Sequence, residues 1–427
     1  ILQSLSGTIN TIFVGQMMGV EAISAVAVFF PILFFLLAFV IGISAGTTVL
    51  VGQAWGAQNI EKVRSVIGST LFMTLIGGTI IAILGFVFAP NILNLLGIDP
   101  KVMHLSLPYV RWMLAGSPLL FVYIVYTSIL RGVGDSVTPL IALGLTSVIG
   151  LIVTPILLKG YFGFPALGII APAIATILGY AAVLIFLAFY LHHKNHPLKL
   201  DARLLQHVRY DADLSKIILK LGIPTGIQMV TTSLAGLVII GLVNRYGAHA
   251  TAAYGAVNQV LNYIQFPAMS ISIAASIFAA QAIGAGKPDL LAKVTRTALS
   301  MNILFTGSLI ALAYLFSKYL MALFITDHSV IELGQQLLFI VLWSILFFGA
   351  SAIFAAIMRA SGTVTVPMLI NILTILLIEI PCAYWFSTLW GLTGIWMAYA
   401  LAFVSLCVFQ ALYYQFVWKK SKIKILI

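Results

Sequence analysis

The chain has 427 residues, of which 62% are hydrophobic and only 8% are charged, and its net charge is +11. Soluble proteins carry about 25% charged residues, so this composition excludes a soluble domain and favours a surface that faces lipid. The two cysteines, Cys382 and Cys407, both lie in apolar segments, which indicates neither a disulfide nor a metal site. We therefore expect no cofactor.

Twelve apolar segments are long enough to cross a bilayer as helices, because about 20 apolar residues span its hydrocarbon core. Their length favours helices over the strands of a membrane barrel, which alternate in runs of about ten residues. The chain begins at Ile1 inside an apolar run, so we expect a truncated first helix and no signal peptide. The predicted segments of this all-α integral membrane protein are 1–18, 23–53, 65–90, 103–130, 138–158, 165–191, 223–245, 250–283, 296–325, 331–358, 366–388 and 393–417.

The distribution of Lys and Arg predicts the orientation. If the N-terminus is cytoplasmic, 17 of the 22 basic residues fall on the cytoplasmic side and 5 on the outer side. The positive-inside rule therefore places both termini in the cytoplasm. The same distribution explains the basic charge without a nucleic-acid partner, since the charge faces an anionic leaflet.

The long polar stretch, residues 192–222, contains four of the seven His residues, six Lys or Arg and three Asp. One interpretation is a regulatory or metal-binding loop, because His192, His193 and His196 are close in sequence. The other is a cytoplasmic linker with a short amphipathic helix at the lipid headgroups. We favour the linker, because these His residues lack a recognisable ligand spacing.

The linker separates two copies of a duplicated unit. G-Q-A-W-G-A at 52–57 recurs 228 positions later as A-Q-A-I-G-A at 280–285, and R-G-V-G-D-S-V-T-P at 131–139 recurs as R-A-S-G-T-V-T-V-P at 359–367. Each half holds six predicted helices, an even number, so the halves are parallel repeats about an axis along the membrane normal. We expect an N-terminal lobe over 1–195, a linker over 196–222, and a C-terminal lobe with a basic tail over 223–427.

Residues that recur at the helix ends of both repeats are interpreted as structural. The recurring pairs are Gln53 with Gln281 and Arg131 with Arg359.

The sequence contains no P-loop, dinucleotide-binding fingerprint, H-E-x-x-H motif or serine-nucleophile elbow, so we expect no enzyme. Without an ATP site, pumping requires an ion gradient and an intramembrane group whose charge changes.

Glu379 is the candidate for that group. It lies inside a hydrophobic run, twelve residues beyond Pro367 and hence roughly 18 Å along a helix. Intramembrane carboxyl groups are costly and face cavities or partners, and desolvation favours their protonated form. Pro381 is expected to kink the helix nearby. The alternative is a neutral glutamic acid hydrogen-bonded to a neighbouring helix. The counterpart of Glu379 in the first repeat is Val153, so the predicted site is asymmetric.

Polar side chains on two predicted helices form candidate cavity linings. Asn258, Asn262 and Gln265 follow the spacing of one helix face, and Gln228 and Thr231 lie together on the preceding helix. The alternative for each residue is a hydrogen bond between helices. Aromatic residues that could stack a planar organic cation include Phe34, Phe35, Tyr126, Tyr263 and Tyr384.

The sequence as a whole resembles the multidrug and toxic compound extrusion (MATE) family of transporters. The resemblance implies two six-helix lobes around a V-shaped cavity, and export of organic cations and other drugs in exchange for H⁺ or Na⁺. It is carried by I-N-T-I-F-V-G-Q (9–16), G-Q-A-W-G-A (52–57), R-G-V-G-D-S-V-T-P (131–139), F-P-A-L-G-I-I-A-P-A-I-A-T (164–176) and Y-Y-Q-F-V-W-K-K (413–420).

The chain departs from the family at its usual acidic positions. Many members carry Asp in the first helix where this chain has Asn10, which we expect to line the cavity without taking up a proton. The Asn and Asp-Pro of the fifth helix are replaced by Gly150 and Thr154-Pro155. The acids of the seventh and tenth helices are absent near Thr231–Thr232 and Phe348–Gly349. By elimination, Glu379 becomes the candidate coupling group.

The sequence therefore predicts a secondary antiporter that exports small, mostly cationic lipophilic compounds by alternating access. We expect a monomer, and H⁺ rather than Na⁺ as coupling ion, because one carboxylate binds a proton whereas a Na⁺ site needs several oxygen ligands. One alternative is a flippase for lipid-linked oligosaccharides, which a mid-membrane basic cavity would favour; this chain has none. The other is a membrane protein that transports nothing.

Overall fold

The computed structural model describes residues 12–98, 100–421, 423 and 425–427, and every regular element within them is helical. Ten helices there are long and apolar enough to cross a membrane. An eleventh span is formed by Pro100–Ala115 and Ser117–Gly132, two helices that meet at an angle of 46°. The chain is therefore a multi-pass membrane protein. The first predicted segment, 1–18, falls mostly outside the described residues.

The helices group into two compact units. One comprises Ile1–Val51 and Asn59–Ile223, and the other comprises Gly52–Gln58 and Pro224–Ile427. The helices of the first unit are α1 (Val20–Ala27), α2 (Phe29–Gly56, whose last turns group with the second unit), α3 (Ile60–Leu95), α4 (Pro100–Ala115), α5 (Ser117–Gly132), α6 (Val137–Lys159), α7 (Ala171–His193) and α8 (Ala202–Leu205).

The second unit contains the longest helix and two π-helical segments. Its elements are α9 (Ala212–Val243, which starts in the first unit), α10 (Ala248–Gly284), α11 (Leu290–Met301), a π segment (Asn302–Thr306), α12 (Gly307–Leu315), α13 (Ser317–Ala322), α14 (His328–Val341), α15 (Ile345–Ala360), α16 (Thr365–Thr374), a second π segment (Ile375–Glu379), α17 (Ile380–Trp390) and α18 (Leu392–Phe416).

Helix α9 begins at Ala212, within the stretch 196–222 predicted as linker. Its first turns are amphipathic: Leu214 and Ile218 are buried, whereas Lys216 and Lys220 are exposed. The Asp211 carboxylate accepts a hydrogen bond from the Leu214 N–H at 3.0 Å, which satisfies a free donor of the first turn. The basic residues of this stretch therefore occupy the polar face of a helix that continues into the seventh predicted segment.

The remaining linker packs against α3 and α5 of the first unit. Leu198 and Leu204 are each only 1% exposed, and the Tyr126 hydroxyl donates to the Leu198 carbonyl at 2.7 Å. His196 faces Asp135 at 3.8 Å rather than another His, and burial lowers the pKa of its imidazole. The linker is thus held by protein contacts of its own unit.

Gly68 of α3 makes the closest approach of this linker possible. A Cβ atom at Gly68 would collide with the backbone of His207. We expect Gly68→Leu to displace the linker at a cost of about 1–3 kcal/mol, which corresponds to trypsin cleavage at Arg203 and Arg209 about tenfold faster or more. Limited proteolysis in detergent measures this rate. Gly144→Leu is the control, because nothing lies within 4 Å of its Cβ position, and equal rates for the two variants would contradict the prediction.

Two glycines allow a close helix crossing within the second unit. A Cβ atom at Gly56 would collide with the Gln281 backbone, and one at Gly284 would collide with the Gln53 backbone. The buried Gln53 side-chain amide adds two hydrogen bonds. Its Nε2 donates to the Ala360 carbonyl at 2.8 Å, and its Oε1 accepts from the Leu426 N–H at 2.8 Å. Small residues at such crossings let backbones approach where lipid supplies no hydrophobic force.

Candidate functional site

Glu379 lies at the end of the π segment between α16 and α17. The Ile380 N–H donates to the Ile375 carbonyl, five residues back, which is the π-helical pattern. Pro381 follows in the first turn of α17 and has no N–H to donate. Glu379 is only 9% exposed. A widened turn before a proline therefore holds this carboxyl group inside the helix bundle, and such π turns are frequent at functional sites.

Two tyrosines from other helices lie in electrostatic range of the Glu379 carboxyl group. They are Tyr254 of α10 and Tyr399 of α18. Their hydroxyl oxygens are 3.1 Å apart, within hydrogen-bond distance. In the part of the chain that the structure describes, Glu379 belongs to no ion pair. The carboxyl group thus has neutral hydroxyl neighbours and no described cation that would hold it permanently ionised.

Aromatic rings enclose this cluster. Trp396 is fully buried, and its ring centroid lies 5.3 Å from that of Tyr254 and 5.5 Å from that of Tyr399. Phe403 extends the same row, 6.3 Å from Tyr399. An apolar wall strengthens electrostatic interactions because it lowers the local dielectric. A change of charge at Glu379 therefore changes the electrostatic energy of neighbouring groups more than it would in water.

The polar face predicted on α10 connects to this cluster through one contact. Asn258 is half-buried, and its Nδ2 donates to the backbone carbonyl of Tyr254 at 3.1 Å. Asn262 and Tyr263 are exposed, and Gln265 is half-buried. Asn258 therefore lies one turn from a tyrosine that neighbours Glu379, whereas the other three continue along the helix away from it.

The remaining predicted residues lie elsewhere. Thr231 and Gln228 are half-buried on α9, and the Thr231 hydroxyl donates to the Ile227 carbonyl of its own helix at 2.9 Å. Tyr384 is 40% exposed, with the Arg245 guanidinium 5.8 Å from its ring centroid. An organic cation would have to displace that guanidinium from the ring face. Asn10 lies outside the described residues.

Asn302, the first residue of the first π segment, packs against Gly349 of the tenth predicted helix. A Cβ atom at Gly349 would collide with the Asn302 side chain. Asn302 is 1% exposed; its Nδ2 donates to the Leu346 carbonyl at 3.0 Å and its Oδ1 accepts from the Thr306 hydroxyl at 3.0 Å. A neutral amide, hydrogen-bonded through both Nδ2 and Oδ1, therefore fills the space that a side chain at Gly349 would need.

Sequence reasoning missed Tyr254 and Tyr399 because buried tyrosines are common in apolar helices. One signal was present: Tyr254 precedes Asn258 by four residues and so extends the same helix face. No comparable pattern identified Tyr399, because only the packing of α18 brings it near Glu379.

Comparison with known proteins identifies the family. The MatE family model matches residues 1–156 and 224–385. The chain belongs to the MatE family.

The names of relatives of this MatE chain describe different functions. It is 43% identical to the "Probable multidrug resistance protein YoeA" of Bacillus subtilis over 100% of this chain and 93% of that protein. It is 27% identical to the "FAD transporter" of Shewanella oneidensis over 95% of this chain and 88% of that protein. A crystal structure of a mutant of the Vibrio cholerae MATE transporter VcmN superposes with a TM-score of 0.89 at 21% identity, covering 99% of this chain and 94% of that one. The all-helical MATE fold is thereby confirmed.

Proposed function

We propose that this MatE protein exports small, mostly cationic lipophilic compounds in exchange for inward-moving protons. The observation that carries the proposal is Glu379, a buried carboxyl group with two tyrosine hydroxyls as neighbours and no described ion-pair partner. The relative named as a multidrug resistance protein supports the substrate class.

Charge exchange at Glu379 is the proposed coupling step. In the ionised form the carboxylate attracts a substrate cation, and the polar hydroxyl groups of Tyr254 and Tyr399 lie within electrostatic range of its charge. A proton from outside neutralises the carboxylate, removes that attraction and favours release of the substrate. A ligand shifts a conformational equilibrium only through its differential affinity for the two states. Proton and substrate therefore compete for one group, and their competition drives the alternating access.

The candidate substrate path in this proposal includes the polar faces of α9 and α10. Asn258 is its best-supported member, because its side-chain amide donates to the carbonyl of Tyr254, which lies within electrostatic range of Glu379. The run around Glu379 carries no basic residue that would attract a large anion, which favours cations as substrates. The other proposed members are Asn10, Gln228, Thr231, Asn262, Tyr263, Gln265 and Tyr384.

We also propose the membrane arrangement expected from the sequence. Both termini lie in the cytoplasm of a bacterial cell, the lobes extend over 1–195 and 223–427, and the protein acts as a monomer in the inner membrane. The excess of Lys and Arg on one side supports this orientation.

Transport by proteoliposomes under separately imposed gradients tests the function. We expect a fluorescent lipophilic cation to move against its gradient under a pH gradient, and not under a Na⁺ gradient alone. Movement driven only by Na⁺ would replace H⁺ as the coupling ion. Movement of the cation under neither gradient would contradict cation export. FAD transport is measured in parallel, because one relative is named an FAD transporter.

A further inference from the structure

Two adjoining grooves lie along α11 in the second unit and share Arg296 and Ser300. Their volumes are about 430 and 410 Å³. The first follows one helix face over twelve residues, or roughly 16 Å. Lys293 and Arg296 line its N-terminal part, Ser300 its middle, and Met301 and Leu304 its far part. Lys419 adds a third cation in the second groove. The surface therefore changes from cationic to hydroxylic to apolar along one face.

The same face exists in the first repeat, 228 positions earlier. The register is supported by burial, because the inward positions of α3 and of α11 with its π segment coincide. The buried pairs are Val63 with Leu291, Ile67 with Thr295, Thr70 with Ala298 and Thr74 with Asn302. Residues Ser65, Gly68, Ser69 and Phe72 are therefore the counterparts of Lys293, Arg296, Thr297 and Ser300.

In the first unit the linker covers this face. His207 packs on Gly68, whose Cβ position its backbone occupies. The hydroxyl oxygens of Ser69 and Ser215 are 3.4 Å apart. The rings of Phe72 and Tyr210 lie 6.3 Å apart. All three contacts come from the segment that follows the last helix of the first repeat.

In the second unit the equivalent face remains open among the described residues. Lys293, Arg296, Thr297 and Ser300 are exposed, and the described ion pairs include none of the cations that line the grooves. Within the described segment after α18, Lys419 lines the second groove, whereas the Leu426 N–H donates to Gln53. The surface that protein covers in one repeat thus carries unpaired positive charge in the other.

We propose that this groove binds an anionic phospholipid of the cytoplasmic leaflet. The phosphate contacts Lys293, Arg296 and Lys419, and an acyl chain lies along Met301 and Leu304. Basic pockets between membrane helices on the cytoplasmic side suit anionic headgroups. The order of chemistry along the groove matches a phospholipid from headgroup to chain, and does not match a soluble anion. The lipid occupies the place that the linker has in the first repeat, and this inference is independent of the transported substrate and ion.

Thermal unfolding in mixed micelles tests the lipid site without a transport assay. Purified wild-type protein is titrated with phosphatidylglycerol or phosphatidylcholine, and native mass spectrometry counts retained lipids. We expect phosphatidylglycerol to raise the unfolding temperature of the wild type. In Lys293→Ala/Arg296→Ala, the phosphatidylglycerol fraction that gives half of the rise in unfolding temperature should be about tenfold higher or more, because two phosphate contacts are lost.

Two further variants separate the groove from general positive charge. Lys216→Ala/Lys220→Ala removes two exposed cations of α9 that lie outside the grooves and should respond as the wild type does. Ser300→Trp fills the groove, keeps its cations and should weaken the response. A wild-type response in Lys293→Ala/Arg296→Ala or Ser300→Trp would overturn the proposal. Equal stabilisation by phosphatidylcholine or by inorganic phosphate would also overturn it.

Discussion

Glu379→Gln should abolish efflux driven by a pH gradient and leave substrate binding measurable. Glutamine keeps the size and most hydrogen bonds of the protonated acid, but it cannot gain or lose a proton. The variant therefore mimics one state of the proposed cycle permanently. Efflux from proteoliposomes should fall to the rate of protein-free liposomes, while fluorescence titration of the purified variant should still detect the substrate. Affinity should be weaker, because the attraction of the ionised carboxylate is lost.

The matched control is Glu332→Gln in the same unit. Glu332 is exposed on α14 and lies 3.3 Å from His328 in an exposed ion pair. Exposed ion pairs contribute little, about 0–1 kcal/mol, so this variant should transport at the wild-type rate. Wild-type efflux by Glu379→Gln would show that coupling does not depend on this carboxyl group.

Gly284→Ala should destabilise the folded protein, whereas the same substitution at Gly255 should not. The added Cβ meets the Gln53 backbone, which cannot rotate away as a flexible side chain can. Overpacking of this kind costs about 1–3 kcal/mol and occasionally more. We expect the unfolding temperature in detergent to fall by several degrees. Loss of the Gln53 hydrogen bonds to Ala360 and Leu426 should accompany the shift.

Gly255→Ala provides the control for helix propensity on the same helix. Nothing lies within 4 Å of the Cβ position of Gly255, so alanine there should be neutral or stabilising by up to about 1 kcal/mol. An unfolding temperature of Gly284→Ala equal to that of Gly255→Ala would show that the α2 and α10 ends do not pack as described.

Most of the helices were predictable because lipid imposes a simple rule on sequence. A helix that crosses a bilayer needs an apolar run of fixed length, and such runs are visible without any knowledge of packing. The prediction was less accurate where helices leave the membrane. Helix α9 starts at Ala212, before the predicted segment 223–245, because its first turns bury one apolar face against protein.

The candidate site was only partly predictable for the same reason. Glu379 stands out in an apolar run, and Asn258 belongs to a polar face that periodicity reveals. The two tyrosine hydroxyls meet at 3.1 Å only through the packing of α10 and α18, which are separated by more than a hundred residues. The filling of the Gly349 site by Asn302 is likewise a contact between different helices.

The sequence by itself determined the membrane class, the duplication and the family, because apolar length and repeated motifs are properties of residues taken in order. It also determined that one carboxyl group lies deep in an apolar segment. Only the tertiary structure decided which hydroxyls lie next to that carboxyl group, and which face of α3 the linker covers while its equivalent on α11 stays open. Those outcomes depend on side chains far apart in sequence, whose approach is set by close packing and by the few glycines that permit it.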